Sequence, residues 1–178
     1  MKNTFDRIYD DYHQELYRFV FYMVKDKETT EDLVQEVYIR ILKSWDSFRG
    51  DSSEKTWIFS IARHVTIDYF RSQKRKSARF LEFFDWGEKG DSIPTLAPLP
   101  EEIAEKNEDA QKLYAYLDKC TVDQRSVLIL RFIHDFSIKE TSEALGFSES
   151  KVKTTQHRAL KTLKKYWLND LERGESAL

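Results

Sequence analysis

Several residue types that would commit a protein to a particular class are scarce in this sequence of 178 residues. Cys120 is the single cysteine, so neither an internal disulfide framework nor a cysteine metal cluster can form, and the composition fits a reducing compartment. The longest apolar run, FVFYMV at 19–24, is far too short to span a bilayer. The first residues carry charges where a signal peptide needs an apolar segment. We therefore expect a cytoplasmic protein without membrane insertion.

Glycine and proline are also rare, and their positions are informative. All three prolines, Pro94, Pro98 and Pro100, lie within one short segment, and Gly87 and Gly90 precede them. Because proline lacks the amide donor and glycine weakens helices, residues 85–100 are predicted to be a linker.

The remaining sequence has helical periodicity and no alternation long enough to indicate a strand. Helices are predicted over residues 3–24, 28–44, 54–76, 101–119, 122–134, 137–145 and 148–168. The expected fold is all-α, with two small helical domains joined by a flexible linker. The predicted boundaries are 1–76 for the first domain, 77–104 for an acidic, proline-containing linker, 105–170 for the second domain and 171–178 for a tail.

Charge is unevenly distributed along the chain. The overall formal charge is only −2, yet residues 57–80 have a net charge of +5 and residues 119–178 a net charge of +3. The intervening residues 81–118 have a net charge of −7. Basic blocks in a near-neutral protein are candidate polyanion sites, because affinity for phosphate depends on local charge.

Residues 137–165 have the pattern of a helix-turn-helix. Ser137 and Glu140 form a capping box, Gly146 suits a helix end, and Ser148 can cap the next helix. The second helix carries six lysine or arginine residues between positions 151 and 165 and no acid. A thin apolar seam with donors on the opposite face is typical of a recognition helix. The candidate DNA-contacting residues are Lys151, Lys153, Thr154, His157, Arg158 and Lys161.

The segment TWIFSIARHVTIDYFRSQKRK at 56–76 combines aromatic and basic side chains. A helical core stripe is formed by Ile58, Ile61, Ala62, Val65 and Tyr69, which leaves other aromatic and basic residues for the remaining faces. Aromatic rings next to arginine and lysine suit unpaired nucleic acid, because rings stack on bases while cations follow the phosphates. A third segment, TEDLVQEVYIRILK at 30–43, presents a mixed acidic and apolar face that indicates a protein partner.

These three segments, taken in chain order, resemble one family. The stretch TEDLVQEVYIRILKSWDSFRGDSSEKTWIFSIARHVTIDYFRSQKRK resembles region 2 of an extracytoplasmic-function sigma factor. The stretch LDKCTVDQRSVLILRFIHDFSIKETSEALGFSESKVKTTQHRALKTLKK resembles region 4. The chain is especially similar to the Gram-positive, envelope-stress type of these factors.

The resemblance implies a transcription initiation factor that binds core RNA polymerase, recognises the −35 element as duplex and melts the −10 element. It implies contacts to the clamp helices of the β′ subunit and to the β flap, and an anti-sigma factor, often membrane-bound in this family. The residues implied in polymerase binding are Asp32, Gln35, Glu36, Ile39 and Arg40. Those implied in −10 binding are Phe48, Trp57, Phe59, Arg63, His64, Asp68, Arg71, Lys74 and Arg75. The resemblance also implies that the helix at 148–165 binds the −35 element through the six candidate residues given above.

Three other classes of protein explain the sequence less well. A stand-alone helix-turn-helix regulator explains 137–165 but leaves 56–76 and EDLVQEV unexplained. A small recombinase needs a nucleophile beside clustered arginines, and residues 1–56 do not supply that set. A pure protein-interaction module disagrees with the two basic blocks. We see no catalytic triad, metal cluster or glycine-rich phosphate loop, and therefore expect no enzyme, cofactor or metal.

Overall fold

The computed structural model describes residues 2–83 and 108–175, and both ranges are helical, without a strand. The helices are α1 (Lys2–Val24), α2 (Lys27–Ser44), α3 (Glu54–Phe83), α4 (Glu108–Tyr116), α5 (Val122–Phe132), α6 (Ile138–Leu145) and α7 (Glu149–Glu175). Single 3-10 turns follow α2 and α4, at Trp45–Ser47 and Leu117–Lys119. Within these ranges, none of the helices combines the length and apolarity that crossing a membrane requires. The all-α prediction is confirmed.

Two predicted helix ends differ from the structure. Helix α3 was expected to stop at residue 76 but continues to Phe83, because the first helix breaker after it, Gly87, comes only later. Helix α7 likewise continues through residues predicted to form a tail and ends at Glu175. The proline-containing part of the predicted linker lies outside the described residues.

The expected caps of the second domain form as local sequence dictates. The Ser137 side chain accepts from the amide of Glu140, and the Glu140 carboxylate accepts from the amide of Ser137. Gly146 adopts φ 63°, the left-handed conformation that favours glycine after a helix. Ser148 accepts from the amide of Lys151 and so opens α7. These caps hold the turn between α6 and α7 in a defined geometry.

The first domain consists of α1, α2 and α3 packed around a shared apolar core. Its buried residues include Leu16 of α1 and Val37 of α2. Ile58, Ala62 and Val65 of α3 are also buried, which confirms these three positions of the predicted core stripe. Tyr69, at the far end of that stripe, is only partly buried.

Two polar contacts fix the start of α3. Ser53 caps the helix by accepting from the amide of Thr56. Arg7 of α1 donates to both carboxylate oxygens of Glu54, at 2.8 and 2.7 Å. This two-point contact holds the loop before α3 against α1.

The second domain consists of α4, α5, α6 and α7. Val152 and Ala159 of α7 are fully buried, and Ala144 and Leu145 of α6 pack in the same core. These are residues that the sequence pattern assigned to the apolar seam of the helix-turn-helix. The opposite side of α7 is therefore left in solvent.

The cores of the two domains are continuous. Phe59 of α3 is fully buried, and its ring lies 5.5 Å from Phe19 of α1 in the same domain. The same ring lies 5.1 Å from Phe136 and 5.0 Å from the His134 imidazole, both from the second domain. Aromatic pairs at these separations add to the free energy of burial, by about 0.5–1.5 kcal/mol each. Tyr22 of α1 and Tyr114 of α4 form a further aromatic pair across the two domains, with 5.5 Å between the ring centroids.

Polar groups reinforce this contact at the end of α1. The last turn of α1 contains no basic residue of its own. Arg125 of α5 donates to the carbonyl oxygen of Met23 at 2.6 Å, and Lys25 donates to the carbonyl oxygen of Tyr114 at 2.7 Å. Both cations pair with Asp118, at 3.3 and 3.0 Å. A cation from the second domain therefore compensates the negative end of the α1 dipole.

His134 makes this interface sensitive to pH. Burial lowers the pKa of His134 to about 4; the charges of Lys55 and Arg18 lower it further, while Glu15 and Asp135 raise it. The imidazole is therefore neutral at neutral pH, although Glu15 lies 3.8 Å away. Because the pKa is lower in the folded state, the stabilisation is present above about pH 6.5 and is lost as the pH falls toward 4.

We expect the free energy of unfolding to fall by about 2 kcal/mol more in the wild type than in His134→Asn between about pH 7 and about pH 5. Urea unfolding at both pH values measures the difference. The variant is the control for carboxylates that titrate in the same range. Equal losses in the two proteins would contradict a neutral, buried imidazole.

Candidate nucleic-acid interface

The exposed face of α2 carries the residues predicted to bind polymerase. Asp32 and Gln35 are exposed, and the Ile39 side chain is 45% exposed, which is unusual for isoleucine. Arg40 donates to Glu36 at 2.8 Å and, across the helix interface, to Asp68 of α3 at 3.1 Å. The predicted polymerase-binding face of α2 therefore adjoins the predicted DNA-binding face of α3.

An aromatic pocket lies between the end of α2 and the start of α3. Its cavity of about 320 Å³ is lined by Phe48, Trp57, Arg49, Asp51 and neighbouring serines. The rings of Phe48 and Trp57 lie 4.9 Å apart, and both residues are partly exposed. The pocket thus combines stacking surfaces with polar groups at its rim, which suits a planar base.

Trp45 supports the two rings of the pocket, although it does not line the pocket, and sequence reasoning missed it. Its ring packs edge-on against Trp57, with 5.8 Å between the centroids and 69° between the planes, and lies 6.0 Å from Phe48. The signal was present in the sequence as WDSF at 45–48, where two aromatic residues precede a loop.

Helix α3 presents a row of polar residues beside the pocket. His64, Asp68, Arg71 and Arg75 are exposed, and their spacing of four, three and four residues places them on one face. Lys74 is exposed next to this row. The His64 ring contacts the Ser60 carbonyl oxygen through Nδ1 at 2.7 Å. These five predicted −10 residues are accessible from solvent.

Two other predicted −10 residues lie elsewhere. Phe59 was expected to stack on bases, but it is fully buried between Phe19, His134 and Phe136, so that prediction is wrong. It follows Ile58 on the buried side of α3, where the second domain covers it. Arg63 is half-buried, because it lies against Asp123 of the second domain.

Helix α7 presents the predicted −35 residues on its solvent side. All six are exposed: Lys151, Lys153, Thr154, His157, Arg158 and Lys161. Thr154, His157, Arg158 and Lys161 follow helical spacing and form one continuous face opposite Val152 and Ala159. Lys151 lies at the edge of this face, 3.5 Å from Asp123.

An apolar groove between α4, α5 and α7 was not recognised from sequence. It has a volume of about 390 Å³, and Leu113, Leu128, Phe132 and Leu160 contribute to its lining. Phe132 is 55% exposed, and Leu113 and Leu160 are each more than 40% exposed. Exposed apolar side chains clustered at a groove mark an interaction site. The signal was VLILRFI at 127–133, which has more apolar residues than one buried face needs.

The described residues contain no cluster of histidine, cysteine and carboxylate side chains that could hold a metal ion. Cys120 is buried, and burial raises the pKa of its thiol. It is therefore a core residue and not a reactive nucleophile.

Both domains match known sequence families. Residues 8–76 match Sigma-70 region 2, and residues 110–163 match Sigma-70 region 4. The matches lie within the two helical domains and contain the α2 face, the aromatic pocket, the α3 row and α7 up to residue 163.

Individual relatives agree. The chain is 58% identical to the ECF RNA polymerase sigma factor SigX of Bacillus subtilis over 93% of this chain and 84% of that protein. It is 33% identical to the B. subtilis RNA polymerase sigma factor YlaC, over 92% of each chain. Among solved structures, the sigma factor RpoE of Bartonella quintana, in complex with the anti-sigma factor NepR, superposes with a TM-score of 0.67 at 27% identity, covering 86% of this chain and 90% of that one.

The fold and these matches define an RNA polymerase sigma factor of the Sigma-70 type. The chain belongs to the extracytoplasmic-function group of that family, and it directs core RNA polymerase to specific promoters. Its partners are accordingly core RNA polymerase and promoter DNA.

Proposed function

We propose a division of labour among the surfaces described above. The α2 face binds the clamp helices of the β′ subunit, and the apolar groove of the second domain receives the β flap. The Phe48–Trp57 pocket and the α3 row open and hold the −10 element, while α7 reads the −35 element in the major groove. The observation that carries this proposal is the base-sized aromatic pocket beside an exposed cationic helix face.

Strand opening at the −10 element follows from the chemistry of the pocket. Flipping a base out of the duplex costs a few kcal/mol, and stacking it on an aromatic ring returns about 1–3 kcal/mol. Arg71, Lys74 and Arg75 on α3 provide charge for the separated backbone. His64 and Asp68 lie next to these cations and can hydrogen-bond a base edge. Stacking and phosphate contacts together offset the lost pairing.

Recognition of the −35 element follows from the polar face of α7. Lys153 and Arg158 can donate to base edges or phosphates, and Thr154 and His157 lie between them on the same face. The capped start of α7 places backbone amides at the end that approaches DNA. Duplex recognition and strand capture thus reside on different domains.

Docking on polymerase uses surfaces that differ chemically from the DNA faces. The α2 face surrounds exposed Ile39 with Asp32, Gln35 and Glu36, a combination that would repel phosphate and suits a protein surface. The groove is apolar and open, as a docked helix requires.

An anti-sigma factor is a further proposed partner. The B. quintana sigma factor, which superposes on this chain, is bound to one. We place the chain's action in the cytoplasm with the polymerase and the DNA, and assign it no enzymatic activity, since nucleotide polymerisation belongs to the polymerase.

Run-off transcription with purified bacterial core polymerase on a library of promoters tests the function. We expect initiation at a defined subset of promoters only when this protein is added. Core polymerase with another sigma factor is the control for competence. A stand-alone regulator would instead bind duplex DNA tightly without polymerase. If core polymerase stayed inactive although this protein was folded, that alternative would be favoured.

Trp57→Ala should slow promoter opening more than initial binding. Because the substitution removes one stacking wall of the pocket, we expect about a tenfold or greater loss in the opening step. Permanganate reactivity of −10 thymines over time measures opening. Tyr9→Ala, an exposed aromatic residue on α1 away from the pocket, is the matched control. Unchanged thymine reactivity in Trp57→Ala would exclude this role.

Lys153→Ala and Arg158→Ala should weaken initiation that depends on the −35 element. Losing a base contact costs about 1–3 kcal/mol of binding free energy and relaxes specificity at one position. Losing a phosphate contact weakens binding to all sequences and reduces the slope of log affinity against log salt concentration by about 1. Holoenzyme binding to promoters with single −35 substitutions, at several salt concentrations, separates these cases. Lys112→Ala, an exposed lysine of α4, is the control. Equal behaviour of all three variants would contradict the assignment.

A further inference from the structure

Three aromatic rings meet at the aromatic pocket, and two of them line it. Phe48 and Trp57 bound the cavity, with 4.9 Å between their ring centroids and 36° between their planes. The ring of Trp45 pairs with both of them from outside the lining, at 5.8 Å from Trp57 and 6.0 Å from Phe48. Trp45 is therefore a neighbour of both walls of the pocket and not itself a wall.

Trp45 also packs on the core of the first domain. Together with residues of α1 and α2, among them Ile8 and Ile41, it encloses a recess of only about 10 Å³. Ile8 and Ile41 are each 1% exposed. Because close packing leaves a side chain few alternative rotamers, this recess restricts the Trp45 ring. Trp45 thus connects a fixed part of the core to the two rings of the pocket.

Phe48 depends on Trp45 for its backbone as well as for its ring. It follows the 3-10 turn Trp45–Ser47, and its amide donates to the Trp45 carbonyl oxygen at 3.0 Å. It also opens the loop of residues 48–53, in which Gly50 adopts φ 76°. A ring on a loop has no helical neighbours at three and four positions to restrict it. The contact with Trp45 supplies that restriction.

The separation of the two walls matters for the capture of a base. A binding site whose side chains are already ordered does not lose their rotamer entropy when the ligand enters. A site of this kind needs neighbouring residues that hold the contacting side chains in place. Phe48 and Trp57 come from a loop and from a helix start, so their relative position depends on a residue that contacts both.

We propose that Trp45 is a positioning residue for promoter opening, which holds the Phe48 and Trp57 rings at the separation that receives a flipped base of the −10 element. The proposal rests on the role proposed above for the pocket. Trp45 acts only through the two rings. Its removal therefore has no consequence for DNA once both rings are absent.

Two substitutions at Trp45 and one control test the proposal. Trp45→Leu removes the ring, and Trp45→Phe restores a smaller ring that can keep the edge contact. Ile41→Val is the matched control, because it trims the same recess and removes no ring. Trp45→Met, whose flexible side chain fills gaps in a core, is the second variant in case Trp45→Leu does not fold. Thermal unfolding of each free protein establishes that it is folded.

The first measurement separates initial binding from opening. Each protein is assembled with core polymerase, and permanganate reactivity of −10 thymines is followed over time on a duplex promoter. Trp45→Leu should open the promoter about three- to tenfold more slowly, since part of the stacking free energy is lost, and initial binding should change by less than about twofold. Trp45→Phe and Ile41→Val should open it within about twofold of the parent rate.

The second measurement asks whether Trp45 acts through the rings. The probe is a forked promoter with a duplex −35 element and a single-stranded −10 element, bound at equilibrium by the same holoenzymes. Trp45→Leu should weaken this binding about three- to tenfold in the parent. In a Phe48→Ala, Trp57→Ala background it should weaken it by less than about twofold, because residues that act as a unit are not additive. A merely structural role would give the same loss in both backgrounds.

The outcomes distinguish this inference from the function on which it rests. Normal opening by Trp45→Leu, no recovery in Trp45→Phe, or an equal loss of binding in both backgrounds overturns the positioning role. Normal opening by the Phe48→Ala, Trp57→Ala protein refutes the role of the pocket itself. If that protein opens slowly while Trp45→Leu opens like the parent, the pocket role stands and only the inference about Trp45 fails.

Discussion

The packing of Phe59 against Phe136 and His134 is the contact on which the arrangement of this protein depends. It makes one core from two domains that each have their own apolar seam, and it commits one side of α3 to that core. Burial of large aromatic rings supplies most of the driving force, since each ring removes about 150–250 Å² from water. The opposite side of α3 is thereby left for the exposed row from His64 to Arg75. A single helix can hold the second domain and keep a polar row in solvent because its two sides differ.

Charge plays a different part at each end of this interface. At the end of α1, Arg125 donates to the carbonyl oxygen of Met23 in the last turn of α1, and Lys25 donates to the carbonyl oxygen of Tyr114 in the last turn of α4. These hydrogen bonds stabilise the contact between the two domains. At the other end, Asp123 lies 3.4 Å from Arg63 and 3.5 Å from Lys151, and the Arg63 Nε is buried without a hydrogen-bond partner among the described residues. The two ends of the interface therefore differ in how completely their polar groups are hydrogen-bonded.

The separation of roles among the exposed surfaces follows from their composition. Faces that contain carboxylates around an exposed aliphatic residue suit proteins, whereas residues 151–165 of α7 present cations without acids and suit a duplex. The aromatic pocket combines ring faces with a polar rim, a combination that suits a planar base. The family matches over both domains connect these three chemistries in one initiation factor.

Local sequence by itself determined the helices, the caps at Ser137, Gly146 and Ser148, and the solvent face of α7, because helical period and capping act within a few residues. The mixture of aromatic and basic residues at 56–76 indicated Trp57, whereas Phe48 came only from the family resemblance. Tertiary structure alone decided the fate of Phe59 and Arg63. Their positions on α3 suit exposure until α6 packs across that side, and no local pattern encodes a contact between residues so distant in sequence. The apolar groove and the packing of Trp45 against Trp57 likewise exist only because separate helices meet there.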